Sequence, residues 1–297
     1  MNKQLILVHG RSQQGKPPRE LKDTWVAAWE EGLRLHGLKI PIGDADIKFP
    51  YYGDTLMDLV DGKETPLPVT IHGSLEGDVD DGYGAFLAAI LREIQVQVPI
   101  SEQRLRDSTA DEPFVTPHGV ANWPWIHAML KAIDQHVPGA SSAVLSTVTR
   151  DAYLYLTRSG IRDDIDKGVL QGFASMEPAV VVGHSLGSVV TYNLLRREGT
   201  AARWNVPLFV TIGSPLGVQK IRQMLQPLSH PGCIERWFNA LDERDMVALY
   251  PLDSNRFGVE PPVENLTSVQ NDTDNHHGIT GYLKDPQVAK RIYDALV

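Results

Sequence analysis

Short apolar runs recur along the chain, and their spacing separates strands from helices. Gln4–Val8, residues 179–182 and Leu208–Ile212 are apolar without alternation, as expected for strands buried on both faces of a parallel sheet. Residues 46–49, 236–240 and 266–270 are the further strands the pattern predicts. Helical periodicity predicts helices over 18–35, opened by prolines that suit a first turn, over 188–197 and over Pro286–Leu296. Trp25 and Trp29, four residues apart, fall on one face of the first helix. Strands alternating with helices in this way imply an α/β fold, a mostly parallel sheet covered on both sides.

Residues 75–172 break the rhythm. Helical patterns run over 83–96, 125–136 and Ser142–Thr157 with no convincing strand, and Gly82, Pro99, Pro113, Pro117 and Pro138-Gly139 punctuate them. The block is too long for one crossover. The expectation is a single domain over 1–297 in which 75–172 is a helical cap or lid; ordinary crossover helices with long loops are the alternative. No internal repeat is visible.

The length of 297 residues suits one large α/β domain, and the formal net charge of -9 disfavours a general nucleic-acid binder, which would carry a basic face. It also disfavours docking on anionic membranes. The single cysteine, Cys233, cannot form an internal disulfide and reads as a small core residue. Leu5-Ile6-Leu7-Val8 is too short for a signal-peptide core, and no apolar stretch approaches the ~20 residues a membrane span needs. A cytoplasmic protein is expected. Asp78-Val79-Asp80-Asp81-Gly82 has its glycine one position early for a calcium loop, and the adjacent His276-His277 lack the spacing of a zinc helix, so no metal or cofactor is called for.

The chemistry concentrates at Gly183-His184-Ser185-Leu186-Gly187. An apolar strand, Pro178-Ala179-Val180-Val181-Val182, enters this pentapeptide, and a helical pattern beginning Ser188-Val189-Val190 leaves it. A turn that tight holds the serine in strained backbone geometry, and side chains two residues to either side would collide, so both places need glycine. The helix start behind Ser185 offers unpaired amides and a positive dipole end to a developing oxyanion.

On these residues the chain resembles the lipase- and esterase-like α/β hydrolases, and Val8-His9-Gly10 is similar to their oxyanion loop. The resemblance covers nearly the whole chain in order except the helical block; the family's two leading strands are missing, and residues 5–8 stand in place of its third. It implies a Ser–acid–His order along the chain. A carboxylate just past the C-terminal end of strand 236–240 would sit on the ligand-binding rim. Both Asp242 and Asp245 qualify, and Asp245-Met246-Val247 is the better likeness to the family pattern. After Ser185 the histidines are His230, which precedes the acid, and the pair His276 and His277, which lies between the last strand and the last helix. His277, leading into Gly278, is preferred to His276. The oxyanion donors implied are the backbone amides of Arg11 and Leu186; the Arg11 side chain is expected to be solvated.

The resemblance therefore implies a serine hydrolase acting on a small-molecule or lipid ester, with peptidase and thioesterase chemistry open on the same machinery and an idle, binding-only scaffold as a further class. A nucleotide hydrolase is the competitor from another class, because Gly10-Arg11-Ser12-Gln13-Gln14-Gly15-Lys16 has phosphate-loop spacing after a strand. The next position should carry the magnesium-binding hydroxyl. It is Pro17.

Overall fold

Six strands make one sheet in the order β2-β1-β3-β4-β5-β6, and every neighbouring pair runs parallel. They are β1 (Gln4–Val8), β2 (Ile47–Lys48), β3 (Ala179–His184), β4 (Leu208–Ile212), β5 (Trp237–Ala240) and β6 (Glu264–Leu266). The computed structural model describes residues 3–10, 17–52, 81–98, 100–107, 123–175 and 177–297. Non-alternating apolarity in β1 and β3 has the expected cause, a core on each face. Leu5, Leu7, Val180 and Val182 point into one, and Ile6, Val8 and Val181 into the other. Each such side chain contributes about 1.5–3 kcal/mol by leaving water.

The first core is closed by α1 (Pro18–Arg34) and the C-terminal α10 (Pro286–Leu296). Pro18 sits in the opening turn of α1, and Trp25 and Trp29 share its buried face. The Trp29 indole donates to the Ala289 carbonyl at 3.1 Å, and a Cβ on Gly32 would come within 2.7 Å of Ala289, so the two helices meet at glycine distance.

The second core lies under α7 (Leu186–Leu194) and the helical block. The block comprises α2 (Asp81–Gln97), α3 (Glu102–Asp107), α4 (Trp123–His136), α5 (Ser142–Thr157) and α6 (Ser159–Leu170), of which α3 and α6 were not legible in the periodicity. Ile126, Leu145, Tyr155 and Ile165 from the block share one core with Val189 and Val190 of α7. A buried polar tie reinforces this packing: Asn193 donates to the Tyr155 hydroxyl (3.1 Å), Tyr155 to Asp166 (2.9 Å), and Arg197 to Asp166 (2.8 Å). Burial pushes the Asp166 carboxyl up from its ordinary value despite these donors. Two short helices, α8 (Gln219–Met224) and α9 (Ile279–Leu283), complete the chain.

Several ends differ from the sequence pattern, each for a local reason. A 3₁₀ turn at Asp44–Asp46 and Pro50 beyond Phe49 confine β2 to two residues. β6 lies earlier than 266–270: Leu241 donates to Leu266 as the last regular rung, after which only an isolated antiparallel bridge from Ser268 to Asp242 remains. Helix α7 begins at Leu186 because Ser185 is already its cap. The sequence Gly10–Lys16 lies outside the described residues apart from Gly10, as do Asp78–Asp80. No helix among the described residues is long and apolar enough to cross a membrane.

Chain direction across the sheet reverses between β1 and β3. From β1 the chain steps to β2 by way of α1 on one face; from β3 it steps to β4 by way of α7 on the other. Right-handed crossovers require that switch of face, and it opens a crevice at the strand ends where the directions part. His9-Gly10 and Ser185 lie there.

Candidate active site

Ser185 follows β3 directly with φ 54° and ψ -129°, a backbone region that costs a non-glycine residue about 1–3 kcal/mol. The strained residue is pinned on both sides. Its N–H donates to Ile212 (3.1 Å), and its carbonyl accepts from the Ser188 amide (3.0 Å) and the Ser188 hydroxyl (2.6 Å). The flanking glycines are required by contact: a Cβ on Gly183 would lie 2.8 Å from the Ser188 Cα, and one on Gly187 would collide with the carbonyls of Val8 and His9. Gly10 is equally constrained, since its Cβ would meet the Ser185 Cβ at 2.8 Å.

Three of the residues expected at the site meet there. His277 Nε2 is 2.9 Å from Ser185 Oγ, and His277 Nδ1 is 2.8 Å from Asp245 Oδ2. All three side chains are buried. Because a carboxylate only accepts, Nδ1 carries the ring proton, which leaves Nε2 with its lone pair toward the serine hydroxyl. Asp245 takes two further backbone donors on its other oxygen, from Val247 (2.8 Å) and Ala248 (3.3 Å). This arrangement can accept a proton from the serine as its oxygen adds to a carbonyl. The Leu186 amide, first in α7, has no acceptor four residues back and faces the start of the helix dipole. The Arg11 amide lies outside the described residues.

The alternatives are elsewhere. Asp242 is clasped by Arg244 Nε (2.9 Å), Nη2 (2.6 Å) and backbone N–H (2.8 Å), and by the Asn271 amide (2.7 Å). Despite the cost of burial, these donors hold its carboxyl below the usual range. His276 has φ 54°; its Nδ1 donates to the Asn271 carbonyl at 2.9 Å, and its Nε2 lies beside Gly139. His230 packs beside Trp237.

Four further side chains also build the site. His184 donates Nε2–H to the His277 carbonyl (2.8 Å), with the two rings 4.8 Å apart; burial, then the charge of His277, pushes its pKa down to about 3. His9 accepts from the Tyr52 amide at Nε2 (3.1 Å) and donates from Nδ1 to Gly10 (2.6 Å), while Tyr52 donates its hydroxyl to the His9 carbonyl. Burial lowers its pKa to about 4. Asn271 ties the histidine loop together through Gly278 (2.8 Å) and Thr273 (2.6 Å). Tyr282 reaches Asp245 (2.7 Å) from α9. His184 lies inside the pentapeptide; Tyr282 carries no local signal, because its partner Asp245 is distant in sequence, and Asn271 sits in a loop whose closing bonds follow no periodic pattern.

No family model, curated protein or solved structure matches this chain.

Proposed function

We propose that the chain is a serine hydrolase of the α/β-hydrolase type that cleaves a carboxylic ester bond through an acyl-enzyme. The observation that carries this reading is the unbroken line from Ser185 Oγ through the His277 ring to Asp245, at 2.9 and 2.8 Å, in a serine held at φ 54°. Ser185 Oγ bonds to the ester carbonyl carbon while His277 Nε2 takes its proton. The carbonyl π electrons move to oxygen, where the Leu186 amide receives the charge, with the Arg11 amide as the expected second donor; such a donor typically stabilises the transition state by about 3 kcal/mol. The electron pair returns, the C–O bond to the leaving alcohol breaks, and that alcohol takes the proton from His277. Water, deprotonated by the same imidazole, then attacks the acyl carbonyl; Ser185 leaves with the proton and the carboxylic acid is released. Asp245 stays ionised and stabilises each transient imidazolium.

A fluorophosphonate probe tests this directly. Covalent labelling is expected on the wild-type chain and not on Ser185→Ala. Absence of labelling, or equal labelling of both, overturns the reading. Esters of increasing acyl length, run beside peptide and thioester substrates, then assign the bond cleaved; ester turnover that exceeds both others is expected.

A further inference from the structure

We infer that Tyr282 is a positioning residue that orients Asp245 and limits how much negative charge that carboxylate lends to His277. The inference rests on the Ser185–His277–Asp245 reading above. Two donors converge on a single oxygen, Asp245 Oδ2: the His277 Nδ1–H at 2.8 Å and the Tyr282 hydroxyl at 2.7 Å. The direction of the tyrosine proton is fixed by a second contact. The Asp242 amide, which can only donate, reaches the Tyr282 oxygen at 3.2 Å. The phenol must therefore give its own proton to Asp245. The ring is fully buried, and burial, then the charge of Asp245, keeps the phenol protonated by raising its pKa well above the ordinary value.

A hydrogen bond to an ionised acceptor is strong in a dry site. Here it draws charge from the oxygen that would otherwise face the imidazolium alone. Without Tyr282 the carboxylate would bind a proton on His277 more tightly, and the serine would lose a neutral base at moderately acid pH. The hydroxyl also fixes the carboxylate rotamer from the side opposite the Val247 and Ala248 amides.

Other ionisable groups around the dyad leave this effect to the tyrosine. From β3, His184 lies against His277, with its pKa near 3. From the end of β1, His9, at about 4, is engaged by Tyr52 and Gly10. On the β5 loop, the Asp242 carboxylate is covered by Arg244 and the Asn271 amide; its N–H donates to Tyr282, and its charge adds, after that of Asp245, to keeping the phenol protonated. On the histidine loop, His276 turns its Nδ1 to Asn271.

The test compares the intact wild-type chain with Tyr282→Phe by titrating the His277 imidazole in NMR spectra. The midpoint is expected to rise by about 0.5–1 pH unit, and the acidic limb of the fluorophosphonate labelling rate should move with it. Because the imidazole titration needs no turnover, it reads the inference even if labelling fails, which would strike only the hydrolase reading. Tyr282→Phe leaves one amide without its acceptor, so 3-fluorotyrosine placed at position 282 serves as a second variant that keeps the hydroxyl. Its more acidic phenol should shift the midpoint downward. An unmoved midpoint in the folded phenylalanine variant, or an unmoved midpoint with the fluorinated ring, overturns the inference: a purely structural tyrosine would lower stability without shifting either curve.

Discussion

The loop leaving β5 carries two buried aspartates three residues apart, and its two ends have opposite dependencies. At the Asp242 end the carboxylate is satisfied by an arginine from its own loop and by the backbone of the histidine loop, and it keeps no oxygen for an imidazole. At the Asp245 end one oxygen is capped by the amides of Val247 and Ala248, and the other is left to His277 and Tyr282. One end shapes the loop that bears the histidine; the other faces the histidine's proton. Burial alone does not distinguish them, since both residues are 1 % exposed. The donors do.

Neutralising each aspartate in turn separates the two ends. Asp245→Asn should lower the fluorophosphonate labelling rate about 10⁴-fold, because an amide at that place favours the wrong tautomer of His277. The chain should remain folded, as the Val247 and Ala248 amides keep an oxygen to bind. Asp242→Asn should do the reverse. It costs about 2–3 kcal/mol of stability in urea unfolding, from weakened charge-assisted bonds to Arg244 and Asn271, and lowers labelling less than about tenfold. Equal losses of reactivity from the two changes would dissolve the distinction.

How much of this contrast was legible in the sequence depends on the reach of each interaction. The pentapeptide 183–187 announced itself because a strand, a turn and a helix are local patterns, and the glycine contacts at Gly183 and Gly187 are local as well. Likeness to a family pattern prefers Asp245 and His277 over Asp242 and His276; in the structure Asp242 is engaged by Arg244, and His276 has a positive φ. Tyr282 could not be read, because a hydrogen bond across 37 residues leaves no periodicity, and Asn271 could not, because its loop bonds to Thr273 and Gly278 have no repeating spacing. The late part of strand 266–270 was misplaced for a related reason. Val269 keeps its apolar role and is buried, whereas Thr267 is exposed and the backbone leaves the ladder to deliver Asn271 to Asp242.

A smaller effect concerns pH. His9 and His184 have folded-state pKa values near 4 and 3, below the ordinary 6.5, so the unfolded chain binds their protons first as pH falls. Their contribution to stability is therefore present above pH 6.5 and is lost as pH drops toward those values, at about 1.4 kcal/mol per pH unit for each ring. Urea midpoints should decline between pH 6.5 and 5, and His184→Gln should flatten that slope relative to wild type. An unchanged slope would mean that the second ring is not held neutral by its burial against His277.

The smallest effect expected is at His276, the neighbour of His277. His276 occupies φ 54°, a left-handed conformation that asparagine and glycine tolerate better than most residues, and its ring contributes one hydrogen bond, to the Asn271 carbonyl. Asn271 is already held by Asp242 at its amide and by Gly278 and Thr273 through its side chain. His276→Asn should therefore change unfolding free energy by no more than about 1 kcal/mol, with the backbone relief partly offsetting the lost bond. Labelling of Ser185 should stay within about threefold of wild type, whereas His277→Asn should remove it. A His276→Asn variant as unreactive as His277→Asn would mean that the two adjacent imidazoles exchange places, and that the clasp built by Asp242 does not hold His277 in line.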